Sequence, residues 1–467
     1  MSRTTSFLLS LTTAAVAATT GNAYYVATTG SDSNPGTLAS PFRTVQKCGD
    51  VAQPGETCLI RAGTYSTLRP ARSGTSGNPI TFKNYPNESP VLNYSYTAGI
   101  GPNPEVFVID LSYRSGIVID GLTLTGGSQG IMMYSGSNDN QILNCEVKGA
   151  WGTGITIWGN SNRNLVKNCK IHDNVQQNWP RGAIYSRGGT WGAGIIAASG
   201  TNQNIFESNY VYWNHGEGMT FGIGGANNTA QYNVIADNWS VNLYADGVLG
   251  TTVFNGNLVY LTNEAKNWPT IDPQGRNKST ALGIGLAVEP DSSFVSALSG
   301  LQITNNIVVN ANGGIYAWPE EAGHTFSGWL IANNTLINNG TGLIIHNSGA
   351  GVDSINVRKN IITANTYAQL NVSPAPTNAY FGDNIYNGVN TFYRAGFALN
   401  YAGWLSASGE ANSYFTSPLL LNETAIPPRF WSDPSLPPPS TIVPLATLVS
   451  PYAPASGSLA VAMGALP

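Results

Sequence analysis

The chain has 467 residues, 53 of them glycine, with 42% apolar and only 10% charged residues and a formal net charge of −4. No basic cluster accompanies that charge, which excludes nucleic acid and an anionic membrane surface as partners. Abundant glycine and asparagine with few charges point to a turn-rich, all-β protein. The length would ordinarily imply about three domains, but repeat folds grow by stacking and escape that rule.

Residues 1–23 read as a signal peptide. Arg3 is the positive start, Phe7 to Ala18 a short apolar stretch, and Gly21-Asn22-Ala23 a small-residue cleavage site. The apolar stretch is too short to span a bilayer. The mature protein is therefore expected to work outside the cytoplasm, extracellular or periplasmic. In such a compartment Cys48 and Cys58 are expected to be bridged.

Residues 24–65 read as a strand, a polar loop, a short helix over about 42–52, a Pro54-Gly55 turn and a second strand. The stretch includes Gly30-Ser31-Asp32-Ser33-Asn34-Pro35-Gly36-Thr37, Pro41-Phe42-Arg43-Thr44-Val45-Gln46 and Arg61-Ala62-Gly63-Thr64-Tyr65. It resembles the N-terminal cap of secreted right-handed parallel β-helix proteins of the pectate-lyase-like superfamily. That superfamily includes polysaccharide lyases and glycoside hydrolases. The resemblance implies a single-stranded right-handed parallel β-helix, an all-β solenoid, with a capping helix.

An internal repeat supports the same fold. Asn144, Asn168, Asn209, Asn233, Asn257, Asn306, Asn334, Asn360 and Asn384 each precede a strand-like run, at spacings of 24, 41, 24, 24, 49, 28, 26 and 24 residues. A period near 24 with insertions marks a solenoid, here of about ten rungs. Asparagine suits its turns, because its side chain satisfies local backbone groups and tolerates left-handed conformations. Cys145 and Cys169, 24 residues apart, are expected to stack as buried free thiols in adjacent rungs. The solenoid is expected over 24–411. A proline-rich segment, 412–467, would cover it or its last rung.

A second column recurs beside the asparagines. It runs Ile131 to Tyr134, Ile155 to Trp158, Ile195 to Ala198, Met219 to Gly222, Leu243 to Asp246, Leu286 to Glu289, Ile315 to Trp318 and Leu343 to His346. Alternation along a strand sends first and third positions inward, and second and fourth outward. The outward set is Met132, Tyr134, Thr156, Trp158, Thr220, Tyr244, Asp246, Glu289, Tyr316, Trp318 and His346. Aromatics and acids replace the Lys, Ser and Thr of an ordinary solvent face. Two insertions, within 173–193 and 261–284, precede strands of this column and are expected to wall it. The first carries Trp179, Arg181, Arg187 and Trp191.

Asp246 and Glu289 fall in one slot of consecutive repeats in this alignment, with Glu217 one strand earlier. Neighbouring strands lie about 4.8 Å apart, so the two carboxyls are expected within roughly 5–7 Å. Paired carboxylates at such distances are how glycosidases work, one giving a proton to the leaving oxygen and the other acting as nucleophile or base. The expected catalytic set is Asp246, Glu289 and Glu217. The expected sugar-binding set is Tyr134, Trp158, Tyr244, Tyr316, Trp318, His346, Arg181 and Arg187. Trp158 and Trp318 would bracket the acids, since C–H faces of sugars pack on aromatic rings. The reading is a glycoside hydrolase acting on a polysaccharide as a monomer, with no cofactor required and calcium left open. The alternatives are a calcium-assisted polysaccharide lyase, which needs Lys or Arg from the loops, and a non-catalytic carbohydrate-binding β-helix.

Overall fold

A computed structural model describes residues 23–179, 183, 191–266, 282–288, 297–319, 324–347, 351–432 and 439–462. Residues 1–22 of the expected signal peptide lie outside it, as do Arg181, Arg187 and Glu289. The described strands form three long parallel sheets of 13, 13 and 12 strands, each taking roughly every third strand in chain order, and a short parallel sheet of three, Ala297–Ser299, Thr325–Ser327 and Val352–Asp353. Only the last strand of the third sheet, Phe397–Leu399, pairs antiparallel. This is a right-handed parallel β-helix, with more rungs than the asparagine repeat alone marks. The extra ones precede residue 144, where strands such as Ile80–Asn84 and Ile117–Asp120 stack without the asparagine.

The inward column Ile131, Ile155, Ile195, Met219, Leu243, Ile284, Ile315, Leu343 and Leu370 stacks in register and is fully buried. Beside it runs the asparagine ladder. Asn209 Nδ2 donates to Asn233 Oδ1 at 3.0 Å, and the contact repeats through Asn257, Asn306, Asn334 and Asn360 to Asn384. Each amide also donates to a backbone carbonyl, as Asn233 does to Phe206 at 2.9 Å. Buried side-chain amides are tolerated here because they are satisfied.

The first two ladder members are corrected. Asn144 and Asn168 are exposed, with φ of 53° and 56°. The buried slots belong to the next residues: Cys169 N donates to Asn209 Oδ1 at 3.0 Å, and Cys145 N to Cys169 Sγ at 3.4 Å. Both thiols are free and buried. A small side chain fills the slot there, and the asparagine beside it takes the left-handed turn.

Near the N-terminus a helix spans Val45–Val51, shorter than 42–52, because Thr44 is its N-cap and accepts from Lys47 N at 3.1 Å. Cys48 of this helix is bridged to Cys58 in the strand Thr57–Ile60, with Cα atoms 6.1 Å apart. At the other end Tyr414–Phe415 continues the second sheet beside Ile385–Gly388. From Leu420 the chain runs back along the outward face of that sheet. Leu420, Phe430, Trp431, Leu448, Tyr452 and Ala460 pack on Tyr212, Val234, Ala236, Leu258, Tyr260 and Ile307. Trp431 is the anchor. It stacks on Trp213 with ring centroids 3.4 Å apart, and its Nε1 donates to Asp237 at 2.7 Å.

Candidate active-site cleft

Among the described residues, no such segment lies along the outward face of the third sheet. Its strands Gln129–Tyr134, Ile155–Trp158, Ala193–Ala198, Glu217–Phe221 and Val241–Asp246 floor a cleft of about 670 Å³. The hollow follows from side-chain size. One outward row reads Tyr134, Trp158, Ala198, Gly222 and Asp246 across successive strands. Ala198 and Gly222 leave a gap between Trp158 and Asp246, and a Cβ on Gly222 would stand 3.3 Å from that of Ala198. Glu105 and Pro102 line one side, with Trp151 and Trp191. Trp191 belongs to the first insertion, which reaches the cleft as expected, and it stacks on Trp239 at 5.5 Å.

Among the described residues, three carboxylates line the cleft: Glu105, Glu217 and Asp246. Asp246 is 5% exposed, Glu217 half-buried and Glu105 exposed. Glu217 is held by Thr220, whose hydroxyl donates to its Oε2. Thr220 pairs with Tyr244, two residues before Asp246 on the neighbouring strand. Strand geometry then puts the Cα atoms of Thr220 and Asp246 about 8 Å apart. The Thr220 bond thus brings the Glu217 carboxyl along the strand toward Asp246. A parallel device sits two strands away, where the Thr156 hydroxyl donates to Gln129 Oε1. No Lys, Arg or His is among the described lining residues. Among the described residues, no group of three His, Cys, Asp or Glu is placed to hold a metal ion.

The Asp246–Glu289 pairing is overturned. Asp246 aligns with Ala287, not with Glu289, because the strand spans Leu282–Val288 and pairs Ile284 with Leu243. The second insertion ends two residues earlier than the aligned pattern implied. Inward Ile284, Leu286 and Val288 all fit the alternation, so the sequence permitted either register.

The expected sugar-binding residues divide. Tyr134 and Trp158 line the cleft. Tyr244, Tyr316 and Trp318 instead pack together: Trp318 lies flat on Tyr244, with centroids 5.5 Å apart and planes 10° apart, and Tyr316 meets it at 5.3 Å. Gly285, on the strand between, allows this, since a Cβ there would stand 3.1 Å from both rings. Tyr244 is 3% exposed, so it is a wall beside Asp246 rather than a platform. His346 is exposed and lies beyond Trp318, outside the cleft. Trp151, Gln129, Thr153, Gln177 and Glu105 line the cleft and were not singled out. The sequence holds one signal for them: Gln129 and Thr153 precede their strands by the few residues that Glu217 precedes Met219.

Comparison with known proteins agrees with this architecture. Residues 24–243 match a family model described as Pel9A-like, right handed beta helix region. The uncharacterized protein YwoF of Bacillus subtilis (strain 168) is 42% identical over 105 residues, 22% of this chain and 22% of that protein. Pectate lyase PEL9 of Emericella nidulans is 35% identical over 72 residues, 15% of this chain and 18% of that protein. The chain thus spans about a fifth of the length of the curated relatives it matches. Among solved structures, a rhamnogalacturonan lyase superposes with a TM-score of 0.52 at 16% identity, over 77% of this chain and 87% of that one. Among the described residues no helix is long and apolar enough to cross a membrane. The chain is a right-handed parallel β-helix protein whose residues 24–243 resemble the Pel9A-like β-helix region.

Proposed function

We propose that the protein is a secreted glycoside hydrolase acting on a polysaccharide, with Glu217 and Asp246 as its acid and base. The observation that carries this is that Glu217 and Asp246 line one aromatic-lined cleft; Arg181 and Arg187, which the lyase alternative could use, lie outside the described residues. β-Elimination needs a base that takes the proton beside a uronate carboxyl, and the lyase alternative requires Lys or Arg for that role. Hydrolysis needs only the two carboxyls. One removes a proton from water as the water oxygen bonds to the anomeric carbon. The other gives its proton to the glycosidic oxygen as the carbon–oxygen bond breaks. The separation of the two carboxyls sets the stereochemistry, near 5 Å for retention and beyond about 6.5 Å for inversion. Trp158 and Tyr134 offer ring faces to the sugars. The Cys48–Cys58 disulfide supports an oxidising compartment.

The test is product analysis on a panel of neutral and uronate polysaccharides. New reducing ends are expected, and proton NMR reads whether the anomeric centre is inverted or retained. An unsaturated product absorbing in the ultraviolet would replace this reading with the lyase.

A further inference from the structure

We propose that the amide of Gln129, held by Thr156 beside Trp158, is a distal sugar subsite that takes a ring remote from the cleavage point. The inference rests on the reading of the cleft as a polysaccharide site and adds to it the length of chain bound. Gln129 is the first residue of the strand Gln129–Tyr134 and lines the cleft. The Thr156 hydroxyl, on the neighbouring strand Ile155–Trp158, donates to Gln129 Oε1. Thr156 is 5% exposed, so the anchor is set in the floor. Among the described residues the Gln129 side chain makes no other hydrogen bond, and its Nε2 keeps two N–H donors. Trp158 follows Thr156 by two residues, on the same face of the same strand, and lines the cleft too. A sugar ring uses such a pair: its C–H face packs on the indole and its hydroxyls bond the amide.

The register of the floor fixes where this subsite lies. Thr156 pairs with Ile196 and Ile196 with Thr220, so the two threonines stand two strands apart in one outward row. Two strand spacings put them about 10 Å apart along the solenoid axis. Thr220 holds Glu217 as Thr156 holds Gln129. One device therefore carries an acid at one place and an amide at the other. An amide neither gives nor takes a proton near neutral pH, so its part is to bind. The separation exceeds the reach of one pyranose ring, so a ligand that meets both places is an oligosaccharide. Ile196 and Ala198, on the strand between, floor the space for the intervening sugar.

The deciding experiment gives the full-length protein ladders of gluco-, xylo-, manno-, galacto- and galacturono-oligosaccharides, from the disaccharide upward. Gln129→Met keeps the length of the side chain and removes its polar atoms. Thr156→Val keeps the shape of the holder and removes its hydroxyl. Melting temperatures near that of the parent show that each variant folds. In the parent, kcat/KM is expected to rise steeply at the added ring that reaches the subsite. Gln129→Met is expected to lower the ratio of kcat/KM on the longest to that on the shortest cleaved oligosaccharide by about tenfold, the scale of one or two neutral hydrogen bonds. The Kd for the longest, read by calorimetry in an Asp246→Asn background, should rise by a similar factor. Thr156→Val should move both in the same direction by less. Equal losses on short and long substrates would overturn the proposal by placing Gln129 at the cleavage point. An unchanged length dependence in the folded variants would overturn it by removing the amide from binding, and reducing ends without unsaturated product would then keep the hydrolase. Unsaturated products would remove the hydrolase, and the subsite would stand if the variants lose the length dependence as stated. Binding of no oligosaccharide would overturn both.

Discussion

The second and third sheets belong to one solenoid, and their inward faces are built alike. Their outward faces are not. The second sheet presents Val234, Ala236, Leu258, Tyr260, Ile307 and Val309 outward, and the C-terminal segment lies on them. The third presents Trp158, Ala198, Gly222 and Asp246, and between Trp158 and Asp246 lies a cleft. An apolar outward row was completed by the chain's own tail, as burial of apolar area demands. A row of aromatics, small residues and acids instead floors a cleft. Outward residues on a β-helix therefore report who covers each face, once the register is known.

The largest expected effect is on the third sheet. Asp246→Asn and Glu217→Gln should each lower kcat/KM by about 10²–10⁴-fold, typical for acid–base groups. Circular dichroism should show melting within a few degrees of the parent. On aryl glycosides with good leaving groups the acid variant should recover activity and the base variant should not, which assigns the two roles. Full activity of both variants on natural substrate would place the chemistry elsewhere.

On the second sheet the expected effect is on stability alone. Trp431→Ala removes the stack on Trp213 and the bond to Asp237. It should cost about 3–5 kcal/mol, as large buried aromatics do. Activity below the melting transition should be retained. A loss of activity without loss of stability would mean that the tail acts on the cleft and that the two faces are not independent.

Trp158→Ala and Trp318→Ala separate platform from wall within one face. Trp158→Ala should raise KM several-fold at unchanged melting temperature, since ring contacts contribute about 0.5–1.5 kcal/mol. Trp318→Ala should lower the melting temperature by exposing Tyr244. The opposite pattern would move the sugar site toward Trp318.

The smallest effect is a pH dependence at the covered face. His172 lies between Asp173 (2.6 Å) and Glu146 (3.0 Å) and stacks on Tyr212, which in turn meets Phe430 of the tail. Burial alone would push the imidazole down, but hydrogen bonds with Asp173 and Glu146 outweigh it and the net shift is upward. The hydrogen bond from His172, opposed by burial and aided by Lys148, pulls Glu146 down to about 2. A raised histidine stabilises fully below about pH 6.5 and loses that contribution as pH rises through its folded value. A lowered glutamate stabilises above about pH 4.5 and loses that contribution as pH falls toward about 2. Both contribute between roughly pH 4.5 and 6.5. His172→Gln should therefore lower the melting temperature most near pH 5.5 and least near pH 9. A difference that grows with pH would contradict this.

Much of the fold was legible because asparagine spacing and alternation are local, repeated signals. Even there, Asn144 and Asn168 misled by one residue, since a turn asparagine and a ladder asparagine look alike until a neighbouring rung fixes them. The site was legible in kind and not in pairing. Trp158, Tyr134 and Asp246, which line the cleft, were singled out by outward parity, and Glu217 by its place just before the strand that carries Met219. Glu289 was matched to Asp246 because insertion lengths are invisible to a repeat alignment, and a two-residue slip preserves inward and outward while moving every partner. Tyr244 and Trp318 were read as platforms because parity says which way a ring points, not that a glycine between two rings lets them close on each other. Glu105 and Trp151 come from segments outside the aligned column and carried no periodic signal.

The most direct test is a crystal structure of the Asp246→Asn variant soaked with an oligosaccharide of the polysaccharide that the parent cleaves best. A glycosidic oxygen should lie between position 246 and Glu217, with a sugar ring over Trp158. Sugar bound on another face of the solenoid, or in the cleft with both positions beyond hydrogen-bond reach of the glycosidic oxygen and its attacking water, would contradict the assignment of this cleft as the active site.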